Sequence, residues 1–278
     1  MPNNAAENMR ANYGSWAVIA GASDGTGAEY ARQLAAAGIN LLLVSRRLPK
    51  LDELAAGLRA SHGIETRTLA LDLYADDAPE KLFDAVKDVA VGLYISNAGA
   101  DMEFTPVLDR SLDKLLGLIR FNIVNVTKAC YYFLQPMRKR GRGGAIVMSS
   151  VSGLVGGQPG SGMYSATKAF ELVLAESLWA ELRGENVDVI GVAAPPMSTP
   201  AAVGVLAAAG MDKPEIVGGL YKPADVVATV LAQLGKEPCH VFDYVGVDIE
   251  PGNVTAAARH LRIKAVEDSV AKLFGLDK

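Results

Sequence analysis

Tyr164 and Lys168 stand four residues apart at the start of the stretch GMYSATKAFELVLAESLWAEL. On a helix that spacing puts a phenol and an ammonium on one face, where both address the same small volume. A free phenol, with a pKa near ~10, is a poor acid or base at neutral pH, and a neighbouring cation stabilises its phenolate. The chemistry this suits is protonation of a carbonyl oxygen as hydride arrives and, in reverse, removal of a proton from an alcohol. A buried tyrosine beside a snorkelling lysine on an amphipathic helix has the same spacing, so the pair alone leaves both readings open.

The stretch AGASDGTG, residues 20–27, carries Gly21, Gly25 and Gly27, with Ser23, Asp24 and Thr26 among them. The GxxxGxG spacing falls between a predicted strand and a predicted helix. Glycines there permit a tight turn and let backbone N–H groups approach a pyrophosphate, which the positive end of the next helix also favours. Closing a tight turn is the competing explanation. About 20 residues on, NAD would call for an acidic residue on its ribose hydroxyls. The chain has Ser45 there, followed by Arg46 and Arg47. Guanidinium groups suit a 2′-phosphate through charge-assisted, potentially bidentate hydrogen bonds, so the expected cofactor is NADP(H). Asp24 is a counterweight, and two solvated arginines at a helix start are the alternative.

These groups need a scaffold. The segment SWAVIAGASDGTGAEYARQLAAAGINLLLVSRR passes from an apolar run through the glycine turn into an Ala-rich helix and a second apolar run, a βαβ unit. Further runs at IETRTLALDL, VGLYIS, GAIVMSS, VDVIGVAA and CHVFDYV do not alternate, as expected of strands buried on both faces. The expected fold is α/β, a Rossmann-type doubly wound parallel sheet with helices on both faces and ligands at the carboxyl ends of the strands. Residues 1–14 read as a disordered or extended tail and 15–278 as one domain. Within it, 198–222 read as a small substrate lid and 236–278 as a C-terminal strand and helix.

Composition excludes several functions. The 278 residues are half hydrophobic, with a formal charge of −4 and no basic cluster, which argues against a nucleic-acid surface. No run approaches the ~20 apolar residues of a membrane span. Cys130 and Cys239 are the only cysteines, which fits a soluble, cytoplasmic setting. His62, His240 and His260 show no paired spacing, so no metal is expected.

With AGASDGTG, SNAG at residues 96–99, Asn122 in RFNIVN, IVMSSVSG and YSATK together, the chain resembles the short-chain dehydrogenase/reductases from about residue 15 to 235. The resemblance implies a catalytic set of Ser150, Tyr164, Lys168 and Asn122. Ser150 would hold the substrate carbonyl, Tyr164 would protonate it, Lys168 would also bind the nicotinamide ribose, and Asn122 would support a water relay. It also places Asp72 and Leu73 of LALDLY near adenine, Asn97, Ala98 and Gly99 beside adenosine, and Pro195 and Thr199 near the nicotinamide. An Asx turn at Asp72 and a strand-ending turn at Asn97 are the plainer readings. Two features depart from the family pattern. The interval from Ser150 to Tyr164 is one residue longer than the commoner one, which keeps Ser149 and then Ser152 as second and third candidates. Pro196 also replaces a frequent glycine, which alters the local wall.

Within that family, GASDGTGAEYARQLAAAGINLLLVSRRLPKL and YSATKAF are similar to the branch of 17β-hydroxysteroid dehydrogenases and very-long-chain 3-oxoacyl-CoA reductases. The branch implies NADPH-linked reduction of a large apolar ketone, steroid-like or aromatic, by a soluble bacterial-type member. A 3-oxoacyl thioester reductase and a non-catalytic NADP(H) sensor are the alternatives. Val203, Val205, Leu206, Met211, Ile216, Val217 and Leu220 of the lid would line an apolar pocket or simply pack on the domain, with Met102, Phe104, Met163 and Met197 nearby. Surplus apolar surface on the helices carrying Asn122 and Tyr164 suggests a homodimer or homotetramer.

Overall fold

A computed structural model describes residues 9–101, 103, 105–154, 160–208 and 219–242. Strands and helices alternate as the apolar runs predict: β1 (Trp16–Ala20), α1 (Gly25–Ala36), β2 (Asn40–Ser45), α2 (Leu48–His62), β3 (Thr66–Ala70), α3 (Ala78–Asp84) and β4 (Val91–Ser96). Then α4 (Leu112–Ile119) passes through a π-helical turn (Arg120–Val124) into α5 (Asn125–Arg140), followed by β5 (Gly143–Met148), α6 (Gly162–Leu182), β6 (Val187–Ala193), α7 (Pro200–Ala208), α8 (Pro223–Gln233) and β7 (Cys239–Val241).

Among the described residues the strands form one sheet in the order β3-β2-β1-β4-β5-β6-β7, with every neighbouring pair parallel. Every residue of β1, β4 and β5 is buried, which is why their sequences run apolar without alternation. One face packs Tyr30 and Leu34 of α1, Leu51 of α2 and Val226 of α8 against Ile19, Leu43 and Ile95. The other packs Leu82 of α3, Phe133 and Met137 of α5 and Trp179 of α6 against Val18, Tyr94 and Val147. Each large side chain buried this way contributes roughly 1.5–3 kcal/mol. The order turns back between β1 and β4, so a crevice opens beyond their carboxyl ends.

Within the expected disordered or extended tail, the described residues 9–14 are ordered. Residues 9–13 are helical, and Tyr13 is buried, donating its hydroxyl to Asp188 Oδ2 at 2.7 Å. The Arg142 guanidinium donates to the Arg10 carbonyl at 2.6 Å and fastens the segment under the sheet. The polar composition of residues 1–14 hid this anchor because one buried ring and one distant arginine supply it.

The strand expected near Cys239 is β7, while the helix expected after it lies outside the described residues. The two ends of the 198–222 segment meet: the Ser198 N–H donates to the Tyr221 carbonyl at 2.9 Å and the Tyr221 N–H to Pro196 at 3.0 Å. Met102, Phe104, Met211, Ile216 and Val217 are outside the described residues, as are the side chains of Val205 and Leu206.

Candidate active site

A cleft of about 670 Å³ occupies the crevice at the carboxyl ends of the strands. Its wall brings together Gly21, Ser23, Asp24, Gly25, Thr26, Ser45, Arg46, Arg47, Asp72, Leu73, Asn97, Ala98, Gly99, Ser150, Tyr164, Lys168, Pro195 and Thr199. Gly27 and Asn122, the remaining residues expected at the site, stand behind that wall.

The glycine loop is shaped by close approach. A Cβ on Gly27 would overlap the Gly21 carbonyl and lie 2.8 Å from Asn97 Nδ2. Asn97 Nδ2 in turn donates to the Gly21 carbonyl at 3.0 Å, linking the end of β4 to the turn after β1. Asp24 caps α1 by accepting the Gly25 N–H at 2.9 Å. Across the loop, Arg47 donates to Ser23 Oγ at 2.9 Å and Lys50 to Asp24 Oδ2 at 3.0 Å. Burial pushes the Asp24 carboxyl up, but the hydrogen bonds from Lys50 and Gly25 and the charges of Lys50 and Arg47 outweigh it and hold the group below its usual range. The basic end of β2 is thus partly neutralised by Asp24. Lys50, on the first turn of α2, went unnoticed in the sequence because its neighbours Arg46 and Arg47 carried the phosphate argument.

Opposite lie the groups suited to proton transfer. Tyr164 and Lys168 occupy the first turns of α6, with Lys168 Nζ 5.7 Å from the centre of the Tyr164 ring. Lys168 Nζ donates to the Met148 carbonyl at 2.9 Å and to Glu171 Oε2 at 2.7 Å. Burial alone would favour a neutral amine, but the charges of Glu171 and Tyr164 and the Glu171 hydrogen bond hold the ammonium above its ordinary pKa. The Glu171 carboxyl is pushed up to about 7 by burial, against the opposing pull of Lys168.

The serines divide. Ser149 is buried and donates to the Lys168 carbonyl at 2.5 Å, so it ties β5 to α6. Ser150 lines the cleft, and its Oγ accepts from the Ser152 N–H at 3.2 Å and the Ser152 hydroxyl at 2.9 Å. That arrangement favours Ser150 as the group able to meet a ligand and gives Ser152 the task of orienting it. Asn122 sits in the π-helical turn, fully buried, donating to Thr167 Oγ1 at 2.9 Å and to the Gly99 carbonyl at 3.4 Å. The wider turn points its side chain inward beneath Gly99.

The plainer features also appear. Asp72 accepts the Tyr74 N–H at 3.1 Å in an Asx-type turn, and Thr199 accepts the Ala202 N–H at 3.2 Å at the start of α7. The sequence reading missed Asp101, whose carboxylate takes Arg110 at 2.7 and 3.0 Å in a nearly buried pair on the cleft wall. It stands two residues beyond the SNAG motif, but its partner comes from a loop nine residues on.

Residues 15–209 match the model of the short chain dehydrogenase family. The chain belongs to that family. It is an oxidoreductase of the kind that acts on hydroxyl and keto groups. A 7beta-hydroxysteroid dehydrogenase of Collinsella aerofaciens is 30% identical over 230 residues, covering 83% of this chain and 86% of its own. A very-long-chain 3-oxoacyl-CoA reductase of Aspergillus clavatus is 34% identical over 227 residues, covering 80% of this chain and 63% of its own. Among solved structures, a 7beta-hydroxysteroid dehydrogenase studied for its stereoselectivity superimposes with a TM-score of 0.75 at 28% identity, over 84% of this chain and 89% of that one. A short-chain dehydrogenase from Sphingobium yanoikuyae in complex with NADPH gives 0.72 at 25% identity, over 95% and 96%. The hydroxysteroid and oxoacyl-CoA reductase resemblance is met, with 7β the position named in these hydroxysteroid relatives. No helix among the described residues is long and apolar enough to cross a membrane.

Proposed function

We propose that this short-chain dehydrogenase is NADP(H)-dependent and interconverts a large apolar ketone and its secondary alcohol, with Tyr164 as the general acid and base. The observation that carries this is the convergence of Ser150, Tyr164 and Lys168 on the same cleft as Arg46, Arg47 and the glycine loop.

The donor set fits the cofactor. Its pyrophosphate would lie on the loop that Gly27 lets close and at the positive end of α1, and its 2′-phosphate beside Arg46, Arg47 and Ser45. Asp72, Leu73, Asn97, Ala98 and Gly99 would flank the adenosine side, and Pro195 and Thr199 the nicotinamide side. When bound, NADP(H) supplies or takes up the hydride. The protein's own groups handle the proton. Ser150, oriented by Ser152, donates a hydrogen bond to the substrate carbonyl, and Tyr164 delivers its proton to that oxygen as negative charge develops. Lys168, kept charged in the buried site, stabilises the phenolate that remains. Asn122, anchored to Thr167 and Gly99, supports resupply of the proton from behind.

Leu220 and Val203, with Met163 and Met197, are offered as part of the apolar surface for substrate, and the 198–222 segment as its cover. The oxoacyl-CoA reductase relative favours a second reading, a 3-oxoacyl thioester substrate. We assign the working form as a homo-oligomer in the cytoplasm. Exposed Val124, Tyr131 and Val173 on the helices that carry the site support the first part, and the sparse use of cysteine, at Cys130 and Cys239 alone, the second.

The test is loss of nicotinamide absorbance with NADPH and separately NADH across ketosteroids, aryl ketones and 3-oxoacyl thioesters, with Tyr164→Phe alongside. Turnover with NADPH that disappears in the variant, while NADPH still binds, supports the reading. Undiminished turnover in Tyr164→Phe ends it, and the best substrate chooses between free ketone and thioester.

A further inference from the structure

Glu171 lies one helical turn beyond Lys168, in an otherwise apolar part of α6, and the two side chains are 2% and 3% exposed. Among the described residues it is the only carboxylate paired with that ammonium. An ammonium has three N–H bonds. Met148, at the end of β5, accepts one at 2.9 Å and Glu171 accepts a second at 2.7 Å. Both acceptors stand on regular elements, so together they orient the group and leave the third N–H for the cleft that Lys168 lines. Gly99 closes the remaining side, since a Cβ there would overlap Nζ.

This pair is poorly built for stability alone. Glu171 Oε1 is buried without a hydrogen-bond partner among the described residues. A buried ion pair with an unsatisfied oxygen is costly compared with the leucine or valine that this helix uses elsewhere. The other titratable groups around the pair are Tyr164 on the same helix, Tyr74 after β3, Tyr94 on β4 and Cys130 on α5. Burial holds Tyr94 and Cys130 in their neutral forms, so Glu171 is the group that supplies negative charge.

We propose that Glu171 is a positioning residue that keeps Lys168 charged and turned toward the cleft, and thereby supports the proton transfer of Tyr164. This rests on the reading of Tyr164 and Lys168 as the catalytic pair. Without the carboxylate the largest charge opposing burial is lost, and the ammonium gives up its proton at lower pH. Its contact with a cofactor ribose and its support of the phenolate then both weaken on the alkaline side.

Glu171→Gln keeps the shape and removes the charge, and Glu171→Asp keeps the charge one methylene further away. The first readout needs no turnover: NADPH affinity by fluorescence titration between about pH 6 and about pH 10, the span in which lysine and tyrosine exchange protons. The second is the pH profile of kcat, and thermal unfolding checks the fold. In Glu171→Gln the alkaline loss of affinity is expected at least about one pH unit lower, close to a tenfold difference at the shifted midpoint, with the alkaline limb of kcat moving alongside. Glu171→Asp gives a smaller shift in the same direction and carries the test if the glutamine variant does not fold. A folded variant whose affinity and rate profiles overlay those of the parent overturns the proposal. Failure of the underlying reading looks different, because Tyr164→Phe would then keep its turnover whatever Glu171 does.

Discussion

Arg47 donates to Ser23 Oγ at 2.9 Å, so the end of β2 is stitched to the glycine loop by the same side chain that faces the expected phosphate site. Arg46, its neighbour, makes no hydrogen bond or ion pair among the described residues. The two arginines should therefore separate on mutation. Arg46→Ala is expected to raise KM for NADPH on the order of 10-fold or more, from one lost charge-assisted contact, and to leave KM for NADH unchanged. Arg47→Ala should raise both values, because it also loosens the loop. Equal effects of Arg46→Ala on the two cofactors would remove Arg46 from phosphate recognition.

Ser149 and Ser150 are adjacent yet do different work. Ser150→Ala is expected to lower kcat on the order of 10²-fold, as loss of a hydrogen-bond donor to a developing oxyanion does. Ser149→Ala breaks a buried hydrogen bond to α6 and should cost about 1–2 kcal/mol of stability, seen as a lower Tm, with a smaller effect on kcat. The opposite pattern would make Ser149 the substrate-facing hydroxyl.

A Cβ on Gly99 would collide with Lys168 Nζ and lie 3.1 Å from Asn122 Oδ1. The flexible lysine end yields before the backbone of the turn after β4 does. Gly99→Ala should thus fold with a modest change in Tm while losing most of its turnover, measured as kcat with saturating NADPH. An alanine variant with parental kcat would show that the ammonium has room to spare.

Tyr13 sits at the opposite end of the sheet and tests the anchored chain start. Tyr13→Phe removes the donor to Asp188 and should destabilise the protein by about 1 kcal/mol in a denaturant titration, leaving kcat unchanged. An unchanged unfolding midpoint would mean that the bond from the Tyr13 hydroxyl to Asp188 adds nothing to the fold.

Local pattern was enough for the strand order of appearance, the glycine turn and the Tyr164–Lys168 face. Buried parallel strands must be apolar throughout, a tight phosphate turn needs glycine, and an i, i+4 pair shares a helical face wherever the helix is placed. Those constraints act over a few residues and leave their mark in any window of the chain. Packing decided the rest. Ser149 and Ser150 are identical as residues and both line the cleft, and only the contact between β5 and α6 ties up the hydroxyl of Ser149 on the Lys168 carbonyl. Asp101 meets Arg110 through the course of a loop. Glu171 reads as one of three acids on α6 until the sheet and α5 close over it and make it the partner of Lys168. Burial and partnership across the chain are properties of the assembled layers, so the pairing of the proposed catalytic lysine with Glu171 was decided by tertiary structure.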